Sequence, residues 1–354
     1  MQASVTVIAD AARMPRIENA KLETQAVAGT LDATIREMAS KAEKPQWLGY
    51  SVEQVEGNRG ICCGNYDGDG NCGTCRLEND RNWTNGQSKD VNPSGSTVQL
   101  ESTKQILVLY RLEAKKVMRI RLASRKCTLD ADGLPFLWLT SVKSSESVAL
   151  LETYVHAAPF ESRGDHGTGH GALAAIALHA DSAADRAFES FVKPDQPEEL
   201  RKQTAFWMDA ARGKSGLLAL QNIAKTDPSS DVRAHVTFAL SVSRESGALE
   251  EMIRMAHDDT SSHVRGQALF WLAQKAGKKA TSTITGAIEN DPDTDVKKKA
   301  VFALSQLPKD EGVPKLIEVA QTNRNPEVRK QAMFWLGQSN DPRALEFFEK
   351  ILSK

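Results

Sequence analysis

Four of the five cysteines, Cys62, Cys63, Cys72 and Cys75, crowd into one short stretch, and the fifth is Cys127. Thiols at that spacing pair as disulfides, hold zinc as thiolates, or cycle as a reactive Cys72-Gly-Thr-Cys75 pair. The surrounding segment, residues 56–96, is rich in Gly, Asn and Asp. It buries too little apolar surface to order itself without a staple. Neighbouring cysteines splay apart, whereas zinc-ligand pairs are commonly spaced by about two to four residues, so disulfides are the favoured staple and zinc the alternative. Disulfides place the protein in an oxidising compartment, periplasmic or secreted; without them it is cytoplasmic. The odd count leaves one thiol free or bonded to another chain.

Other chemistry-bearing residues form weaker patterns. Asn65-Tyr-Asp67-Gly-Asp69-Gly70 opens like a calcium-binding loop, but Arg76 stands where the bidentate Glu belongs, so a plain acidic turn is expected. Asn82-Trp83-Thr84 fits a glycosylation sequon, which matters only in a eukaryotic source. His156, Asp165, His166 and His170 lie close in sequence, yet Gly167 and Gly169 work against the helix that would aim two of the histidines together. No nucleophile elbow, phosphate-binding glycine loop or His-Glu-x-x-His run is present. Neither a catalytic residue, a cofactor nor a metal is expected.

The elements that carry these residues fall into two parts. With 354 residues and 40 % hydrophobic content the chain can build more than one core, and a formal charge of −1 gives no general pull toward nucleic acid. No apolar run is long enough for a membrane span, and Met1-Gln2-Ala3-Ser4 opens no secretory leader. Residues 1–155 read as a small α+β domain: a helix over 24–41, an extended stretch from Trp47 to Val55, and a hairpin of 105–111 with 116–122 joined near Ala114-Lys115. In its second strand Val117, Arg119 and Arg121 alternate with Met118, Ile120 and Leu122, which predicts one wet face. A helix over Ser145–Tyr154 and a linker, residues 156–168, follow.

From residue 169 onward the chain is periodic. Phe206, Phe238, Phe270, Phe302 and Phe334 stand 32 residues apart, and the same step holds Asp195, Asp227, Asp259, Asp291 and Asn323, then Arg201, Arg233, Arg265, Lys297 and Arg329. Such strict spacing marks a stacked array. Met208, Leu240, Leu272, Leu304 and Leu336 supply one apolar column; Leu220, Met252, Ile284, Leu316 and Phe348 supply a second about twelve residues on. Each unit is therefore a pair of short helices. Ser229, Ser261, Asp293 and Asn325 are good N-caps for the first helix, although Pro197 breaks that column. Residues 169–192 read as a weaker unit at the start, which makes six.

The runs "DPSSDVRAHVTFALS", "PDTDVKKKAVFALSQL" and "NPEVRKQAMFWLGQS" resemble HEAT repeats of the bacterial, phycobilisome-lyase kind. The resemblance covers residues 169–354 and implies a mainly α fold, a HEAT-type solenoid behind the small α+β domain. It also implies a ladder whose rungs are Asp227 with Arg233, Asp259 with Arg265, and Asp291 with Lys297, the last weakened because Lys lacks the two-pronged fork. The first domain resembles amino-terminal regions of secreted or periplasmic bacterial HEAT proteins.

A solenoid offers surface rather than a catalytic cleft. On a helical wheel the Phe column points away from the core direction set by Val232, Val236, Ala239 and Leu240. It runs beside Gln203, His235, Gln267, Lys299 and Gln331, with Gln274, Gln306 and Gln338 near. The five phenylalanines either pack between successive first helices or form a strip that a protein partner reads, with Gln267, Lys299 and Gln331 on its border. Trp207, Ala239, Trp271, Ala303 and Trp335 alternate large and small and are expected to interdigitate in the core. Lys297, Lys298 and Lys299 are the one dense basic run of the array, and a nucleic-acid surface would repeat it in every unit. The expected function is a non-catalytic scaffold holding another protein. The alternatives are an enzyme or ligand-handling protein of the chromophore-lyase kind, for which the second helices offer Lys225, Glu250, Arg254, Glu289 and Glu318 without a constellation, and a zinc- or thiol-dependent sensor.

Overall fold

The computed structural model describes residues 14–55, 74–78, 105–157, 160 and 168–353. The chain divides into two compact units, residues 1–191 and 192–354. The first is built on a five-stranded sheet of β2 (Lys21–Ala26), β8 (Pro135–Thr140), β3 (Gln46–Glu53), β5 (Gln105–Glu113) and β6 (Lys116–Ser124), in that spatial order. β2, β8 and β3 run parallel to one another; β3, β5 and β6 are antiparallel. A smaller sheet aligns β1 (Ile17–Glu18), β7 (Thr128–Asp130) and β4 (Thr74–Arg76) in parallel.

The expected hairpin is β5–β6, turned at Ala114 and Lys115 with φ of 50° and 61°, the paired left-handed backbone of a tight two-residue turn. The wet face expected on β6 is limited to its start, where Lys116 and Met118 are exposed; from Ile120 to Ser124 every residue, Arg121 included, is buried. Trp47, Leu107, Leu109, Phe136 and Trp138 face Cys75, Leu77 and Leu129 of the smaller sheet. Tyr50 and Tyr110 point the other way, toward helix α2 (Ser144–Ala157). The helix expected over 24–41 is confined to α1 (Leu31–Lys41), capped by the Thr30 hydroxyl, which accepts from Ala33 N–H at 3.3 Å; residues 21–26 are strand β2 instead.

The pair expected as the weak first repeat exists as α3 (Thr168–Leu178) and α4 (Ser182–Phe191), but it packs within the first unit. Helix α3 is apolar almost all round, so it needs cover on more than one side. It lies against α2 and β6, where Gly171 touches the Ile120 carbonyl so closely that no β-carbon fits. The chain after α3 then extends the sheet: Val55 N–H donates to Leu178 O and Ala180 N–H to Glu53 O.

The second unit holds five helix pairs. The first is one helical run, α5 (Glu198–Thr226), broken at Gly213, whose φ of 50° suits a residue without a side chain. The others are α6 (Ser230–Val242) with α7 (Gly247–Asp258), α8 (Ser262–Ala276) with α9 (Thr281–Asn290), α10 (Thr294–Ser305) with α11 (Lys309–Thr322), and α12 (Pro326–Gln338) with α13 (Pro342–Leu352). Ser229, Asp293 and Asn325 cap their helices as expected; the Ser261 side chain does not. Leu240, Leu272, Leu304, Met252, Ile284 and Leu316 form the buried spine between the helix layers.

The rungs of the ladder are not those expected. Each arginine clasps the aspartate 26 residues ahead, in the next unit: Arg201 with Asp227 (2.9 and 3.1 Å), Arg233 with Asp259 (2.9 and 2.9 Å), Arg265 with Asp291 (2.7 and 2.9 Å). Nη1 of Arg233 and Arg265 turns back to the main-chain oxygen of Asp227 and Asp259, the residues expected to pair as carboxylates. The aspartates are shared as well, since their Oδ1 accepts from Ser229, Ser261 and Asp293 N–H two residues on, closing the turn before each helix. Lys297 bonds the Glu289 carbonyl at 2.7 Å. Its place in the ladder faces Asn323, so this rung is lost at both ends.

Candidate protein-binding strip on the first helices

The five phenylalanines form a seam. Phe206 stacks on Phe238 at 6.0 Å with 7° between planes, and Phe270 on Phe302 at 5.8 Å and 3°. Between those pairs the contact changes partner: Phe238 meets Trp271 at 4.9 Å and Phe302 meets Trp335 at 4.8 Å. Each tryptophan also touches the phenylalanine before it, at 5.4 Å for Phe206–Trp207, 4.9 Å for Phe270–Trp271 and 5.0 Å for Phe334–Trp335. The five phenylalanines and three tryptophans are thereby linked without a gap, packed between helices and partly exposed.

The tryptophans belong to this strip and not to the core. Ala239 and Ala303 are buried, but Trp207, Trp271 and Trp335 are only half-buried and pack on the phenylalanines, the Trp335 indole nitrogen being buried. The alternation gives the array a period of two units. "QTAFW", "QALFW" and "QAMFW" alternate with "TFALS" and "VFALS", and Gly213 and Gly277, both with φ of 50°, turn only the tryptophan units. That 64-residue period is present in the sequence and was the signal to look for.

The border is polar and mostly neutral. Gln203, Gln267 and Gln331 accompany the tryptophans, while His235 and Lys299 accompany the alanines. His235 lies 5.7 Å from the Phe238 ring, and burial holds its pKa below the ordinary histidine value, so it is neutral at pH 7. Lys299 is exposed, and the end of its side chain, Nζ included, lies over Gly266 of the previous unit. Gln274 and Gln306 reach each other across units at 3.4 Å. Aromatic edges flanked by amides and one cation suit a polypeptide, whose apolar side chains and backbone amides they match.

Of the other expected sites, Cys62, Cys63 and Cys72 lie outside the described residues, as do Asp165, His166, the acidic loop 65–70 and the sequon. Cys75 and Cys127 are buried in the core between the two sheets. His156 packs edge-on against Phe191, and His170 against Phe160. Among the described residues no group of three metal-ligating side chains assembles.

Two polar groupings escaped the sequence reading. In the first unit Tyr110 and Tyr50 hydroxyls meet at 2.9 Å, Tyr50 reaches Ser147 Oγ at 2.7 Å, and Ser147 reaches His179 Nε2 at 2.9 Å, all buried. His179 Nδ1 lies 2.6 Å from the Ala175 carbonyl, which only an N–H can satisfy, so Nε2 is the acceptor at the end of a one-way chain of hydroxyls. Burial pushes both tyrosine pKa values up, and the chain locks sheet to helices. In the second unit Lys275 Nζ caps the end of α6 by donating to Ser241 O and Ser243 O, 3.0 and 2.6 Å away. Burial lowers its pKa and raises that of Asp209, which bonds Ser243 and keeps one buried carboxylate oxygen without a partner.

A family model described as HEAT repeats matches residues 281–354. No curated protein matches the sequence. Among solved structures, human deoxyhypusine hydroxylase in complex with glycerol is similar with a TM-score of 0.30 and 13 % identity, over 55 % of this chain and 76 % of that one. The complex of CpcE and CpcF of phycocyanin lyase from Nostoc sp. PCC7120 is similar with a TM-score of 0.29 and 18 % identity, over 56 % of this chain and 79 % of the other. Among the described residues no helix is long and apolar enough to cross a membrane.

Proposed function

We propose that this protein is a binding scaffold whose solenoid holds a protein partner along the aromatic seam of its first helices. The observation that carries the reading is the unbroken half-exposed run from Phe206 to Trp335, bordered by Gln267, Lys299 and Gln331. The rings are rigid because they stack on each other, so a partner would meet a surface already ordered. Substituting the rings themselves would loosen the stack. The test is therefore the border: a Gln267→Glu, Lys299→Glu, Gln331→Glu triple variant keeps the melting temperature and loses the partner captured by the parent chain. Equal capture by both would refute the strip.

An enzymatic or ligand-handling role is the second reading, the class to which both similar structures belong by name. In this chain it would rest on Asp209, Ser243 and Lys275, and it predicts a small molecule whose stabilisation of the fold disappears in Asp209→Asn. A thiol- or zinc-dependent sensor would rest on the cysteine stretch. We place the protein in the periplasm or outside the cell if Cys62, Cys63, Cys72 and Cys75 are disulfide-bonded and in the cytoplasm otherwise. Thiol counting with and without reductant, together with metal analysis, decides between these.

A further inference from the structure

We propose that His179 is an acid-operated latch of the first unit: a proton on its ring frees the pair α3 and α4 from the sheet and bares the apolar sides of α3. Three elements meet at this residue. Its main chain pairs with Gln54 just beyond β3, between Val55 N–H on Leu178 O at 2.9 Å and Ala180 N–H on Glu53 O at 3.0 Å. Its ring links Ala175 of α3 to Ser147 of α2, and through Ser147 to Tyr50 of β3 and Tyr110 of β5. The side chains of His179, Ser147, Tyr50 and Tyr110 are all fully buried.

The chain is complete only with a neutral ring. Its four links run from Nδ1 to Ala175 O, Ser147 to Nε2, Tyr50 to Ser147 and Tyr110 to Tyr50, and they use the one N–H and three O–H hydrogens that these groups carry. A proton on Nε2 adds a fifth hydrogen and a charge. Ser147 must then accept from the ring, and one hydroxyl hydrogen is left without an acceptor. Both changes are costly away from water, and in the opened unit water meets them, so acid favours opening. Gln54 leans the same way, since its buried amide nitrogen has no partner and opening returns it to water.

The charged groups nearby are engaged elsewhere. Glu146 holds Leu31 N–H and Lys143, Asp181 holds Ala183 N–H, Glu53 is exposed, and Glu152 lies toward His156 and Arg186. Arg121 of β6 lies over Trp47, on the face of the sheet away from Tyr50. The phenols of Tyr50, Tyr110 and Tyr154 keep their protons, because burial pushes all three up. An imidazole in an unfolded chain takes its proton near about pH 6.5. A ring that must stay neutral in the shut latch therefore contributes stability that is full above that pH and lost as pH falls, and the open population grows about tenfold for each pH unit.

The test follows amide exchange of the full chain from about pH 7.5 to about pH 4.5, with rates corrected for the intrinsic effect of pH. Residues 168–191 should lose protection about tenfold per pH unit below about pH 6.5, while α6 to α11 keep theirs. In His179→Gln, neutral at every pH, that loss should vanish; His156→Gln and His170→Gln should leave it unchanged. If His179→Gln does not fold, deuterium uptake at the C2 carbon of the His179 ring in the parent reports its proton directly and should titrate with the opening. Constant protection in the parent, a loss that persists in His179→Gln or vanishes in His170→Gln, a ring that stays neutral through the opening, or both units opening together would overturn the latch.

Discussion

Arg233 donates from Nε and Nη2 to both carboxylate oxygens of Asp259, and Nη1 of the same fork holds the Asp227 carbonyl. One side chain thus ties the turn of its own unit to the turn of the next. Burial alone would raise the Asp259 pKa, but the Arg233 fork and the Ser261 N–H overcome it and hold the carboxyl below its ordinary value. Breaking such a pair leaves a largely buried charge, so Arg233→Ala should cost about 3–5 kcal/mol. Because the folded-state pKa is depressed, this stability is present above the unfolded carboxylate pKa of about 4 and is lost as pH falls through the lower folded value. A urea titration of parent and variant at pH 7 and pH 3 should show the gap between them narrowing in acid.

The lost rung can be rebuilt. Lys297→Arg and Asn323→Asp restore the pair that the other units carry, so the double variant should be more stable than the sum of the two single changes by about 1–3 kcal/mol. A double-mutant cycle in urea measures that coupling; additive effects would mean the geometry of α10 and α12 forbids the rung.

Glycines separate close approach from mere helix content. Gly171→Ala puts a methyl group into the Ile120 carbonyl and should unfold the packing of α3 on β6, a loss above about 3 kcal/mol. Gly286 and Gly337 sit in helices with open space around the added carbon, and alanine there should stabilise by about 0.5–1 kcal/mol each. Thermal melts of the three variants check the opposite signs.

Asp209 makes the reverse pH prediction to Asp259. Burial raises its pKa, so the folded state binds its proton more tightly than the unfolded chain and the charged form costs stability above about pH 4. Asp209→Asn, which keeps a group able to accept from Ser243, should raise the melting temperature at pH 7 by about 2–4 °C and leave it unchanged near pH 3. A loss at pH 7 would show that Lys275 depends on the carboxylate.

The array is legible because each 32-residue unit repeats the same apolar columns and aromatic, and repetition amplifies weak local signals. The rungs were misassigned for a simple reason: sequence measures distance along one chain, where Asp227 is six residues from Arg233, while the fork spans to Asp259 in the stacked neighbour. Strand β8 is not legible because Pro135–Thr140 reads as an almost unbroken apolar run, Pro-Phe-Leu-Trp-Leu, without polar–apolar alternation. Residues 169–192 carry array-like spacing, yet α3 is too apolar to sit at the end of a stack and joins the sheet. The seam of Phe238 and Trp271 is not legible from a helical wheel, which gives the angle of a side chain on its own helix but not its contact with a ring of the next unit.

The central claim is that a protein partner lies along the seam. A photo-reactive side chain placed at Gln267, on the border of the Phe270–Trp271 contact, is compared with one at Glu250 on the second helix α7, each in the full chain in its native source. The strip predicts a discrete protein adduct at position 267 that is absent at position 250 and disappears with Lys299→Glu and Gln331→Glu. Adducts at position 250 alone, or none at position 267, would contradict it.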